Sequence, residues 1–362
     1  MVLYRKYSPQ TFAEVVGQEH VVDTLRGAIK SNAVAHGYLF TGSRGSGKTT
    51  LARLLAKAVN CTNLSKTSYD VCGKCDSCKE IEEGHSLDLI EIDAASNRGI
   101  DEIRAVRDSA QVSPFGNGWK VFIIDEIHML TKEAFNALLK TLEEPPAKTL
   151  FVLATTEPQR VPATIMSRVQ RFDFKKLTVA QIAGKLAMIA KAEKIKISPE
   201  AIRQVALMAE GALRDAESAL GKLIDFCGSE IEDESLGEVL GVISLGVVGE
   251  FLSFLINCEG DRATLLVNRL HDSGVDLDHF GKNALEYCRY ILAVRANPSS
   301  LANMAQNIGE AHAQQVATLA GQADSKLILR IITALLRAQQ EMKISPIPQL
   351  PLEIAIMELT SG

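Results

Sequence analysis

Little in this sequence is aromatic, and nothing in it is both long and apolar. Aromatic residues make up 5% of the 362 positions, with one tryptophan. No stretch reaches the roughly 18 uninterrupted apolar residues that a membrane-spanning helix needs, so no membrane role is expected. The opening MVLYRKYSPQTF has two early basic residues with no apolar run behind them, which argues against a secretory signal and for a cytoplasmic protein. Positive charge is not in excess either. Lys and Arg number 39 against 44 Asp and Glu, a net charge of −5, so any contact with nucleic acid must come through a local basic patch. Internal repeats, low-complexity tracts and long disordered linkers are also missing. What remains, 46% hydrophobic and 23% charged residues, is the composition of a chain that folds, with length for two or three domains.

From residue 36 onward, short apolar runs alternate with amphipathic stretches. GYLF precedes a glycine loop and TTLARLLAKAVN; LDLIEID, GWKVFIIDE and KTLFVLATTE follow at intervals. Buried runs without polar alternation, each followed by a helical pattern, predict an α/β domain with a parallel sheet covered by helices. Past RFDFKKLT, near residue 178, the strand signals stop. Helical segments continue, including one that SPEA at 198–201 opens with a Ser cap and a Pro in the first turn. The helical pattern then runs to the end, broken at Ser273-Gly274, at 297–300 and at the late prolines, with no catalytic motif after residue 240.

The strongest chemical signal is Gly42-Ser43-Arg44-Gly45-Ser46-Gly47-Lys48-Thr49, followed by Thr50, a complete GxxxxGK[ST] loop between strand and helix. Glycines there let backbone N–H groups curl around phosphates. Lys48 reaches the terminal phosphates of ATP, and Thr49 ligates Mg2+ at the positive end of the following helix. The second signal is VFIIDE, in which Asp125 lies 77 residues beyond Lys48. Two adjacent carboxylates at a buried strand end are costly unless a cation sits opposite. Asp125 is therefore assigned to the metal shell and Glu126 to orienting and deprotonating a water. His128 reads as a partly buried structural histidine rather than a catalytic one. A third strand, Leu150 to Ala154, ends at Thr155-Thr156, where a hydroxyl can face the phosphate or the water; taken alone such a pair is more often a turn, and its place in the series of strands is what raises it.

Seven cysteines are present, and four of them, Cys61, Cys72, Cys75 and Cys78, fall within eighteen residues. In a reducing compartment such a cluster points to metal rather than disulfides. Four thiolates fill a tetrahedral zinc shell, which favours a structural Zn2+ over a catalytic or redox site. Cys227, Cys258 and Cys288 lie in apolar helical contexts and are expected in cores.

Taken together, the glycine loop, DEIH, FNALLKTLEEPP, LATTEPQRVPATIMSR and GALRDAESAL resemble the bacterial clamp-loader gamma/tau family of P-loop AAA+ ATPases, strongly to about residue 240 and weakly beyond. The resemblance implies an ATP-hydrolysing motor that loads a sliding clamp onto primer-template DNA, working in a hetero-oligomer, a pentamer, with other loader subunits. It implies an AAA+ domain over 1–176 carrying a zinc insertion at about 60–84, a helical lid over 177–240, and an all-α collar over 241–362. It makes Thr155 the first sensor, Arg214 in GALRD the second, and Arg168 an arginine finger that acts on a neighbour's ATP. Val169 stands where the family usually has Cys. It also brings Tyr4, Arg5, Tyr7, Pro9, Val16 and Gln18 to the adenine. Arg98 and Lys140 are expected at the DNA phosphates, with a solvated turn and an exposed lysine as the competing reading. The rival function is a non-catalytic scaffold of the same fold, or another AAA+ DNA-remodelling ATPase; intact Lys48, Thr49, Asp125 and Glu126 speak for hydrolysis.

Overall fold

The computed structural model describes residues 2–115, 118–232, 235–240 and 245–360, apart from the side chains of residues 238, 303, 306 and 307. The chain divides into two compact units, Met1–Gln181 with Glu210–Glu217, and Ile182–Ala209 with Ser218–Gly362.

The first unit is built on five parallel strands: β1 (Gly37–Thr41), β2 (Leu89–Asp93), β3 (Lys120–Asp125), β4 (Thr149–Thr155) and β5 (Gln170–Asp173). They lie in the order β2-β3-β4-β1-β5. Of the apolar runs read from the sequence, three are the central strands β1, β3 and β4, buried on both faces. LDLIEID, expected to be buried as well, is the half-exposed edge strand β2, covered by a neighbour on one side only, and β5 at the other edge is mostly exposed. Alternate residues supply two separate cores. Tyr38, Phe40, Val121, Ile123, Leu150 and Val152 pack on one face, and Leu39, Phe122, Ile124, Phe151 and Leu153 on the other. Phe122 and Phe151 stack with ring centroids 5.1 Å apart. The register sets Thr41 beside Thr155 and Asp93 beside Asp125, so the carboxyl ends of the strands meet along one edge. In open parallel sheets that edge is where ligands bind.

The second unit is helical, around a core running from Val248 to Leu359. The expected Ser198 cap is present: its hydroxyl accepts from the Ala201 N–H at 2.9 Å and opens the helix Pro199–Met208. One departure is a two-residue parallel pairing of Lys196–Ile197 with Glu230–Ile231, too short to carry a periodic signal. A second concerns cysteine. Cys288 is buried as expected, but Cys258 is exposed, because it sits in a left-handed turn (φ 59°) just past the helix Leu245–Ile256. Among the described residues, no helix is long and apolar enough to cross a membrane.

Candidate functional site

The loop Gly42–Gly47 leaves β1 and enters the helix Lys48–Asn60. Gly47 caps that helix at φ 94°, and Gly45, at φ 73°, lies so near Ala212 that a Cβ would stand 2.9 Å from the alanine methyl. Both positions need backbone that a side chain resists. Lys48 is buried, and its Nζ donates to the carbonyls of Gly42 and Ser43 at 2.8 and 2.9 Å. Burial holds its pKa below the ordinary lysine value, while Glu126 and Asp125 pull it back up.

Thr49 Oγ1 donates to Asp125 Oδ2 at 2.7 Å across 76 residues of sequence, so the two groups assigned to the metal shell are in contact. Glu126 follows in left-handed backbone (φ 48°, ψ 45°), an unusual state for a residue with a side chain, and its N–H donates to Asp125 Oδ1 at 2.9 Å. Strain of this kind persists where the surroundings over-determine it, as they do at working sites. The Glu126 carboxylate accepts from the Thr156 hydroxyl at 2.9 Å and from the Thr156 N–H at 3.2 Å.

These groups line one end of a cavity of about 1020 Å3 within the first unit. Arg44, Gly45, Ser46, Gly47, Lys48, Thr49 and Thr50 contribute from the loop, and Asp125 and Glu126 from the end of β3. Elsewhere its wall is formed by Tyr4, Arg5, Pro9 and Val16 of the amino-terminal strap, by Leu177, and by Leu213 and Arg214. The Arg214 guanidinium lies 4.5 Å from the Tyr4 ring centroid, and its hydrogen bond, with one from Arg5, holds the Tyr4 hydroxyl below the usual phenol pKa. Four residues expected at the nucleotide stand back from the cavity. Gly42 and Ser43 lie outside its lining, and their carbonyls hold Lys48. Gln18 is buried and bridges the strap to Lys175, donating to its carbonyl at 2.7 Å and accepting from its N–H at 3.1 Å. Tyr7 lies outside the lining, beside Lys6.

Thr155 is fully buried behind the wall, not on it. Its hydroxyl meets His128 Nδ1 at 3.0 Å and accepts from the Glu157 N–H at 3.0 Å. His128 is half-buried as a residue with its side chain only 6% exposed, 3.3 Å from Glu126 on one ring nitrogen and 3.3 Å from Glu157 on the other. The histidine expected to be partly buried thus lies between Thr155 and the carboxylate assigned to water. Arg168 lies outside the cavity, donating to Glu143 at 2.6 Å and to the Thr164 carbonyl at 2.7 Å. Arg98 and Lys140 are exposed; the Arg98 carbonyl accepts from the N–H of Thr131, the residue that caps the helix carrying Lys140.

The sulfurs of Cys61, Cys72, Cys75 and Cys78 all lie within 4.8 Å of one another. In a tetrahedral site with metal–sulfur bonds of ~2.3 Å the sulfurs stand ~3.8 Å apart, so a slight contraction of these four soft donors would close a zinc shell. Backbone N–H groups of Lys74 and Cys75 point at Cys72 Sγ from 3.4 and 3.3 Å and hold that thiol below its ordinary pKa. Burial pushes Cys61 and Cys78 up. At Cys75 burial also raises the pKa, but hydrogen bonds from Cys78 and Thr62 outweigh it and bring the thiol to about 6. The cluster packs into the same core as the helix Lys48–Asn60.

Residues 17–178 match the family model described as DNA polymerase III, delta subunit, and residues 231–361 match DNA polymerase III subunits gamma and tau domain III. The Bacillus subtilis DNA polymerase III subunit tau is 39% identical over 357 residues, covering 99% of this chain and 62% of that protein. The Escherichia coli subunit tau is 42% identical over 303 residues, covering 83% of this chain and 47% of that protein. This chain thus spans about half to three-fifths of these tau relatives. The DNA polymerase III subunit gamma of Buchnera aphidicola is 33% identical over 361 residues, covering 100% of this chain and 99% of that one. Among solved structures, the Bacillus subtilis DNA clamp loader delta protein aligns loosely, at a TM-score of 0.41 and 17% identity, over 94% of this chain and 99% of that one.

Proposed function

This chain belongs to the DNA polymerase III gamma/tau family, and on that premise we propose that it is the ATP-hydrolysing motor subunit of a clamp loader, seating a sliding clamp on primed DNA. One observation carries the reading: Lys48, Thr49, Asp125 and Glu126, the residue types that phosphoryl transfer uses, line one cavity of about 1020 Å3, with Thr49 bonded to Asp125.

Backbone N–H groups of Gly45–Thr49 and the start of the helix cradle the phosphates, and Lys48 supplies fixed charge to the terminal ones. Thr49 and Asp125, already paired, are the residues to hold a magnesium ion. When bound, that ion neutralises phosphate charge. Glu126 orients a water and takes its proton as the water oxygen attacks the γ-phosphorus and the bond to the bridging oxygen breaks, leaving ADP and phosphate. Tyr4, Arg5, Pro9 and Val16 form the adenine side. Thr155 acts from behind the wall through His128, and Arg214 acts from beside Tyr4. Arg168, held by Glu143 outside its own cavity, serves a neighbouring subunit.

In this reading residues 1–176 form the nucleotide domain, with zinc in the four-cysteine insertion as a staple; 177–240 form the lid and 241–362 the collar that joins the other loader subunits. The place of work is the cytoplasm. Nucleotide titration together with turnover in reconstituted loader tests the core of this reading. Lys48→Ala abolishes binding, whereas Glu126→Gln binds ATP as the parent does and turns over at least about a hundredfold more slowly. Parental turnover by Glu126→Gln removes that residue from the role of base.

A further inference from the structure

Asp70 lies in the cysteine-bearing insertion, two positions before Cys72, and is buried. A buried carboxylate must be matched with donors or it destabilises the fold. Here the matching is complete, and three of the four donors are distant in sequence. Oδ1 accepts from the N–H of Phe12 at 2.8 Å and from that of Val71 at 2.9 Å. Oδ2 accepts from the N–H of Ala13 at 3.0 Å and from the Arg26 guanidinium at 2.6 Å.

Phe12 and Ala13 open a three-residue helical turn, Phe12–Glu14, whose own flanking residue, Thr11, makes no capping hydrogen bond with its side chain. Asp70 therefore caps this turn from 58 residues away, taking two orphan donors with a charged acceptor. On either side of the turn the strap becomes cavity wall, through Pro9 and Gln10 before it and Val15 and Val16 after it. Arg26 completes the arrangement by lying 5.7 Å over the Phe12 ring while it pairs with Asp70. The phosphate end of the cavity is built by other segments, the glycine loop and the end of β3.

We propose that Asp70 is a positioning residue that fixes the base-side wall of the nucleotide cavity to the cysteine insertion, setting affinity for the nucleoside part of the ligand independently of the phosphate grip. The proposal rests on the nucleotide reading above. It separates two ligands that share phosphates and differ in the base: ADP, which meets both ends of the cavity, and inorganic tripolyphosphate, which meets the glycine loop alone.

The experiment titrates the full 362-residue chain and its Asp70→Asn variant with each ligand, in magnesium, by calorimetry. The amide keeps the size of the carboxylate but loses its charge and turns an N–H toward donors, so ADP affinity falls about tenfold while tripolyphosphate affinity stays within about twofold of the parent. Equal ADP affinity in the two proteins overturns the proposal. So does a parallel loss of both ligands, or a variant that does not fold, since Asp70 then supports the whole unit rather than one wall. A parent chain that binds no ADP sinks the nucleotide reading itself, and the role of Asp70 with it.

Discussion

The hydroxyl of Thr156 donates to Glu126 Oε2 at 2.9 Å, and the amide of the same threonine donates to the same oxygen. Glu126 is thus aimed by the residue that follows β4, while its backbone is held in a left-handed turn. A base works only if its lone pair points where the water sits, and one oriented hydrogen bond is worth about 1 kcal/mol. Thr156→Val is expected to cut turnover about fivefold to tenfold with ATP affinity unchanged, while Thr156→Ser restores most of the rate. Pre-steady-state hydrolysis with separate nucleotide titration measures both.

The four-cysteine cluster leads to a metal prediction. Freshly purified, reduced protein is expected to carry one equivalent of zinc by elemental analysis, and Cys78→Ser, at the most buried of the four sulfurs, to lose most of it. Because the cluster packs on the core of the helix Lys48–Asn60, metal loss should lower the melting temperature by several degrees while Lys48 and Thr49 keep their positions. Zinc-free protein of unchanged stability would refute a structural ion.

Arg168 donates to Glu143 and Thr164 and has no place in its own cavity. Arg168→Ala is expected to leave the nucleotide affinity of the isolated chain nearly unchanged and to slow assembled turnover by roughly a thousandfold at that interface. Mixing Arg168→Ala subunits with Lys48→Ala subunits should return part of the activity, because each supplies what the other lacks across a shared interface. No recovery, together with a slowed monomer, would make the arginine act within its own chain.

Arg98 and Lys140 are both exposed, linked through Thr131 at the start of the helix Lys132–Glu143. Charge reversal at both should weaken DNA-stimulated ATP hydrolysis and reduce the salt slope of DNA binding by about 2, one unit for each lost phosphate contact. Unchanged stimulation assigns them to a solvated surface.

The parts legible in the sequence were those that chemistry forces into adjacency or into a fixed period. GxxxxGK[ST], the carboxylate pair at the end of an apolar run and the cysteine spacing each need particular residue types close together, and the buried strands need unbroken apolar runs. What stayed hidden depends on segments that meet only after folding. Asp70 reaches Phe12 across 58 positions and Gln18 reaches Lys175 across 157, and neither pairing leaves a local pattern. The two threonines at the end of β4 are indistinguishable by type; only the alternation of the strand turns Thr155 inward to His128 and leaves Thr156 on Glu126.

The first unit is discontinuous in the chain: after residue 181 the polypeptide leaves it, and Glu210–Glu217 comes back. That return brings Leu213, Arg214 and Glu217 to the cavity wall, and Ala212 against Gly45. A fragment cut at residue 181 would therefore keep every residue of the phosphate loop and still be a poor stand-in for the nucleotide site, lacking a panel of it. A protease nick between the two stretches, in contrast, would leave all the pieces present. Domain dissection by sequence order would mislead here, and a shortened version for screening or crystallisation has to run past residue 217.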